Sequence, residues 1–295
     1  MGAVIIGTGI SRDGKLKSAI AHAAEAGKKA IENAKIEATE VDVVINVGIY
    51  REDNMVEPAM AAIIQKELGI NLDYVKASPR RAAFSFDLMN GGIGALDALK
   101  VADAILQSDS AKYVLIVGAD IHPSGMKASD FPFAEVGSAI LLKKGTDKSK
   151  GVIASHFASK PHKFAGRTGM VKTKEMGTTG RSHIVIADAP DYVAAITDFT
   201  VTTTKEFMQK QNLKGDSIQL ISSQVSASHV ATLQDALQIK NSPNLFKEFG
   251  GDTHSATYGL GLHQLSKAGA MKAGEKILLA GGSSGLAAGC ILYVC

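Results

Sequence analysis

The 295-residue chain predicts a layered α/β fold built from two similar βα-repeat halves. Three observations carry this. Apolar, β-branched runs of strand length alternate with helix-length segments, the pattern of sheets covered on both faces. The order of these elements occurs twice along the chain. The helix after each Gly-rich turn is dense in small residues (Gly94, Ala95 and Ala98; then Ala256, Gly259 and Gly261), which suits a helix held closely between two sheets.

In chain order, buried strands are expected at 3–9, 41–49, 112–120 and 138–145, then at 182–188, 217–225, 276–285 and 289–294. A helix is expected over 16–34, where Leu16, Ile20, Ala23, Ala24, Gly27 and Ile31 recur at helical spacing. A second is expected over 95–109. In the first half "VDVVINVGIY" leads through a helix to "FSFDLMNGGIGALDALKVADAIL" and then to "KYVLIVGAD". In the second, "SIQLISSQVS" leads through "ASHVATLQDALQI" to "NLFKEFGGDTHSATYGLGLHQLSKAG" and then to "KILLAGGSSG". Each half therefore reads as strand, helix, strand, Gly-rich turn, helix of small residues, strand. The expected division is 1–150 for the first half, 151–182 for a basic connecting loop region and 183–295 for the second half.

Composition removes several function classes. With 45% hydrophobic and 21% charged residues the chain has ample material for a core. A net charge of +3 is too small to favour nucleic-acid or anionic-membrane binding. The two cysteines, Cys290 and Cys295, can make neither a disulfide framework nor a zinc spacing, so a reducing compartment is expected. The N-terminus lacks a basic region before its short apolar run, no apolar stretch of about 18 residues follows, and Ile6 breaks the myristoylation pattern. A cytoplasmic location is the expectation. "GTG" at 7–9 lacks the third glycine of a dinucleotide site, and no Walker lysine occurs. No cofactor and no metal are expected.

The stretch "FDLMNGGIGALDAL", residues 86–99, opens like a strand, turns on glycines and enters a helix. Such a turn suits a nucleophile, yet Gly91, Gly92, Ile93 and Gly94 occupy it. With "KYVLIVGAD", "FAEVGSAILL", "LISSQVSASHVATLQDAL", "GDTHSAT" and the Gly-rich C-terminal strand pair, in that order and spacing, the chain resembles the thiolase superfamily and, more closely, β-ketoacyl-ACP synthase III. The resemblance spans nearly the whole chain. It implies a thiolase-like αβαβα sandwich whose subunits pair through the strand near 82–88, and it implies acyl-condensing chemistry.

The same resemblance places the family's acyl-accepting cysteine at Gly92, its histidine at Ser223 and its asparagine at Asp252. A Gly-Asp-Gly turn of the family becomes Ala134, Glu135 and Val136. Glycine supplies no thiolate, serine no imidazolium, and an ionised aspartate repels an enolate. No side chain of that triad is kept. The family's coenzyme A segment is also shortened here, and the chain contains no tryptophan.

Other residues carry chemical potential. His254 in "GDTHSATYG", with Asp252, Glu135, Gln224 and Ser223 near it, is a candidate acid–base cluster or simply a cap on a helix start. His229 reads as packed or exposed on a helix, against a catalytic role; His122 as a site residue just past a strand end or as part of a turn; and Cys290 as a buried strand residue or a replacement nucleophile. Segment 155–183 holds six Lys or Arg against one Glu. Lys160, Lys163, Arg167, Lys172, Lys174 and Arg181 are candidates for docking an acyl carrier protein or its phosphopantetheine, against the plain alternative of a solvated surface. Three functions are compatible with these residues. The first is a non-catalytic subunit paired with a complete ketosynthase III-like chain. The second is a divergent acyltransferase or acid–base enzyme working through Asp252 and His254. The third is an acyl-binding protein, with a homodimer as the alternative assembly.

Overall fold

The computed structural model describes residues 2–71, 82–126, 128–161, 166–171, 174 and 182–295. The first half runs β1 (Ala3–Ser11), α1 (Ala19–Ala34), β2 (Val43–Asn46), α2 (Met60–Glu67), β3 (Phe84–Asp87), α3 (Gly94–Gln107), β4 (Tyr113–Ala119) and β5 (Gly137–Lys144). The second runs β6 (Gly151–Ser159), β7 (Arg167–Met170), β8 (Val185–Asp188), α4 (Tyr192–Lys210), β9 (Gln219–Ser222), α5 (Ala227–Leu237), α6 (Leu245–Phe249), α7 (Thr257–Lys267), β10 (Lys276–Ser283) and β11 (Ala287–Val294).

Among the described residues two main sheets form, in strand orders β1-β5-β4-β2-β3 and β6-β11-β10-β9, beside a two-stranded ribbon of β7 and β8. The orders correspond position by position, and so do the directions. β1 and β5 are antiparallel, as are β6 and β11; β4 and β2 are parallel, as are β10 and β9. The twofold repetition in the sequence is thus a repetition of sheet topology.

Alternation along each buried strand sets the layers. In the first sheet Ile45, Ile116 and Ile140 face inward, toward Leu96 and Leu99 of α3, Tyr258 and Leu262 of α7, and Ile221, Leu279 and Ile291 of the second sheet. Their neighbours Val44, Leu115 and Leu141 face outward against Ala23, Ala30 and Ile64 of α1 and α2. On the far side Leu278 and Leu292 meet Phe207 of α4 and Leu233 of α5. The result is an αβαβα sandwich with α3 and α7 as its central layer. Glycine is needed there: a Cβ at Gly259 would strike Ser138 of the first sheet, and one at Gly261 would strike Ile221 of the second. No helix among the described residues is long and apolar enough to cross a membrane.

Three expectations change. "NLFKEF" is not a strand but the short helix α6, because Asn244 caps it by accepting from Lys247 N–H at 3.0 Å and Gly250 ends it at φ 74°. The second sheet accordingly has four strands. Residues 151–159, read as the start of a loop, form β6 and pair with β11. Residues 185–188 join a separate two-stranded ribbon with β7 and not the main sheet.

Candidate functional site

The two Gly-rich turns come together at the middle of the sandwich. A 3-10 turn, Gly91–Ile93, links β3 to α3, and a second, His254–Ala256, leads into α7. With the ends of β9 and β10 they enclose a pocket of about 280 Å³. Gly92, Ser223, Gln224, Asp252 and His254 all line it. These five residues singled out from sequence therefore meet in one cavity, drawn from three separate stretches of chain.

Gly92 leaves space there. A Cβ built on it would meet only Gly282 O at 3.5 Å and His254 Cδ2 at 3.8 Å, both ordinary contacts. Gly91 differs: its φ is +48° and its Cβ would collide with the Ser283 hydroxyl.

His254 is held by a buried carboxylate. Its Nδ1 lies 2.9 Å from Asp120 Oδ2. The same carboxylate accepts from Ser255 Oγ at 2.6 Å, from Ile49 N–H at 2.8 Å and from Tyr50 N–H at 2.9 Å. Burial alone would push the Asp120 carboxyl up, but the facing imidazole, the Ser255 hydroxyl and the backbone donors override it and hold it down at about 2. The imidazole stacks against Phe133 with ring centres 4.4 Å apart. His254 adopts φ +40°, an uncommon region for a non-glycine residue. Its Nε2 lies 3.8 Å from where a Gly91 Cβ would be, and its Cδ2 3.8 Å from where a Gly92 Cβ would be. This is an oriented imidazole with one ring nitrogen committed and the other facing the pocket.

Asp252 is ion-paired. Its Oδ2 pairs with Arg167 Nη1 at 2.9 Å, and its Oδ1 accepts the His254 backbone N–H at 2.9 Å. Arg167 also forms a two-pronged pair with Asp188, at 2.7 and 3.0 Å, between the rings of Phe133 and Tyr192. All three of its paired nitrogens are thus engaged inside the protein. Its reading as a docking residue is corrected: it is a pocket-wall residue, turned inward by Asp252 and Asp188. Lys160 is exposed and lies over the Phe199 ring, and Lys174 is exposed. Lys163, Lys172 and Arg181 lie outside the described residues.

The remaining candidates separate cleanly. Gln224 spends its amide on Ser222 O at 2.7 Å and on Phe246 N–H at 2.7 Å, tying β9 to α6. Glu135 does not line the pocket, and its charge acts instead on His22. His122 pairs with Ser124 at 2.7 Å within its own turn. Cys290 is wholly buried on the outer face of the second sheet, bonded to Thr204 at 3.6 Å, and burial pushes its thiol up to about 12. It is not a replacement nucleophile for the pocket. Ser223 Oγ lies 2.9 Å from Nε2 of His229, which is fully buried instead of exposed on its helix.

Asp120 was not marked in the sequence, although it closes the apolar run of β4. A carboxylate at the C-terminal end of a buried strand is the signal that would have found it. Among the described residues no group of three His, Cys, Asp or Glu side chains could hold a metal ion.

Comparison with known proteins agrees with this architecture. The family model described as 3-oxoacyl-[acyl-carrier-protein (ACP)] synthase III matches residues 86–161, from β3 through β6. The chain is 26% identical over 280 residues to a β-ketoacyl-[acyl-carrier-protein] synthase III of Syntrophomonas wolfei, covering 91% of this chain and 80% of that protein. The 3-oxoacyl-(acyl carrier protein) synthase III of Pseudomonas aeruginosa PAO1 superposes with a TM-score of 0.82 at 18% identity, covering 100% of this chain and 98% of the other. The priming β-ketosynthase of the R1128 polyketide pathway superposes with a TM-score of 0.81 at 17% identity, covering 99% and 96%.

Proposed function

We propose that this chain, a ketoacyl synthase III-like protein of the thiolase fold, is a supporting subunit in acyl condensation that forms no acyl-cysteine of its own. The observation that carries this is Gly92. At the turn where the resemblance puts the acyl-accepting thiol there is only a backbone, and among the described residues no cysteine lines the pocket. Condensation therefore needs a thiol from elsewhere, and a catalytically complete ketosynthase III-like chain is the source that fits.

β3 offers the surface for that partner. Among the described residues it is the outer strand of the first sheet, and Phe84 on it is 64% exposed. An edge strand with exposed aromatic surface is a liability unless it is paired. Continuing the sheet across a pseudo-twofold would satisfy its free N–H and C=O groups. A pocket of about 280 Å³ suits a short acyl group, being at the small end of ligand cavities. Docking of an acyl carrier protein would draw on Lys160 and Lys174.

Co-expression with a complete ketosynthase III-like chain of the same organism tests this by native mass and by condensation assay. A one-to-one complex that makes the 3-oxoacyl product is expected, with no product from this chain alone. Phe84→Lys should weaken the complex by at least about tenfold, since it places a charge on the buried edge. Carbon–carbon bond formation by this chain without a partner would overturn the proposal.

One observation favours a second reading, an acid–base enzyme acting on acyl thioesters: the His254–Asp120 pair, whose imidazole lines the pocket beside Gly92. In that case the chain alone would exchange solvent deuterium into the α-carbon of an acyl-N-acetylcysteamine thioester. His254→Ala should then lower the rate by roughly 100-fold or more. A wild-type chain that gives no exchange excludes it.

A further inference from the structure

We infer that Ser223 and His229 form a serine–imidazole pair that takes an acyl group from an activated ester or thioester, in the same pocket but apart from the empty Gly92 position. Ser223 directly follows β9 and lines the pocket. His229 is the third residue of α5, and the start of that helix is fixed by Ser226 Oγ, which accepts the His229 N–H at 3.1 Å. The imidazole is fully buried, with both ring nitrogens partnered.

The hydrogen-bond chain assigns the protons. Thr197 Oγ1 donates to Val193 O at 2.6 Å, so toward His229 Nδ1, 2.8 Å away, it acts as acceptor. Nδ1 therefore carries the ring proton and Nε2 the lone pair. Ser223 Oγ, 2.9 Å from Nε2, then donates its proton to the imidazole. The hydroxyl oxygen is fixed from another side by the Gly282 N–H at 3.2 Å. A hydroxyl directed at a base, with that base oriented by a third group, is the geometry of an activated nucleophile. Burial pushes His229 down to about 4, so the imidazole is in its acceptor form at neutral pH.

The step balances without a further reactant. Ser223 Oγ attacks the carbonyl carbon of the thioester while its proton passes to His229 Nε2. The tetrahedral adduct collapses with cleavage of the C–S bond, and the proton moves from Nε2 to the leaving thiolate. The products are an acyl-serine ester and a free thiol. Water repeats the sequence on the ester, releasing the carboxylic acid and restoring Ser223. This hydrolytic activity is independent of condensation and of any partner.

The test uses the purified chain, alone or in its complex, with a fluorophosphonate probe and with acetyl-N-acetylcysteamine thioester. Adducts are located by peptide mass. Label at Ser223 and release of thiol are expected from the wild type, and neither from Ser223→Ala. His229→Gln should slow labelling at least about 100-fold, the usual contribution of a general base. The labelling rate should stay level from about pH 8 to pH 5 and fall as pH approaches the low value of His229, where Nε2 protonates. A folded wild-type chain without label at Ser223, a labelling rate unchanged in His229→Gln, or a rate that titrates near pH 6.5 would overturn the inference. Failure to condense, or to pair, bears only on the supporting-subunit proposal.

Discussion

Gly92→Cys should give this chain a thiol that loads acyl groups, with the fold intact. The position has the room, since a Cβ there makes only ordinary contacts, and it has no positive φ that a side chain would strain. The new sulfur would lie beside His254, already oriented by Asp120. An imidazole with a free lone pair beside a thiol can take its proton, which raises the thiolate fraction. Iodoacetamide should therefore alkylate position 92 at least about tenfold faster than an ordinary exposed cysteine, and an acyl thioester should leave its acyl mass there. Decarboxylative condensation is not expected to follow. Ser223 supplies no imidazolium, and the Asp252 carboxylate is held in place by Arg167. Gly91→Ala is the contrasting variant. It combines a left-handed backbone with a collision against Ser283, and should cost roughly 1–3 kcal/mol in chemical denaturation. An introduced thiol at 92 that reacts no faster than free cysteine would show that the pocket is closed to reagents and would remove the vacant nucleophile seat from the functional argument.

How much of this was legible follows from the range of each interaction. Strands such as β4 and β10 announce themselves because both faces are buried, which leaves an apolar run that no other local structure explains. Helix α6 did not, because "NLFKEF" is as apolar and aromatic as a strand, and its helical state is decided by Asn244 before it and Gly250 after it. β6 was hidden because Ser155 and His156 interrupt its apolar pattern, while its partner β11 lies more than a hundred residues away.

The site divides in the same way. Gly92, Ser223 and Asp252 could be placed from the order of motifs alone, and all three line the pocket. Arg167 could not be told from the basic residues around it, because its ionic partners lie 21 and 85 residues on. A basic run looks like surface until the carboxylates that draw one member inward are known. Asp120 is the extreme case, joined to His254 across 134 residues of chain. The helical pattern around His229 fits a packed, an exposed or a catalytic histidine alike, and its partners are Thr197 of α4 and Ser223, the residue after β9. The order of motifs thus brings pocket-lining positions into view, while the protons their side chains hold depend on partners far away in the chain.

Removing the Asp120 carboxylate should have the largest effect on stability of any single change in the pocket. One carboxylate fills the needs of two backbone N–H groups of the segment after β2, of the Ser255 N–H and hydroxyl, and of His254 Nδ1. It is 2% exposed, so water cannot replace it without opening the sandwich. Asp120→Ala strands these buried donors and should cost about 3–5 kcal/mol, the range found when one member of a buried pair is removed. Asp120→Asn keeps the volume and one carbonyl oxygen, so the Ile49 and Tyr50 N–H groups can stay bonded. Its NH₂ group would face His254 and Ser255, forcing the ring proton from Nδ1 to Nε2 and taking away the lone pair that faces the pocket. A milder loss of about 1–3 kcal/mol is expected, with the same loss of His254-dependent chemistry as His254→Ala. The pH dependence has a definite sign. The carboxyl sits at about 2 in the folded chain, below its unfolded value of about 3.9. Its contribution is therefore complete above about pH 4 and is lost as pH falls toward 2. Urea unfolding of the wild type at pH 7, 4 and 2.5 should show that fall, and Asp120→Ala should be less stable at neutral pH and flatter across the acid range. A variant within about 1 kcal/mol of the wild type at pH 7 would mean that the donors around position 120 find other partners, and that His254 is held in place by its packing against Phe133 and Tyr50.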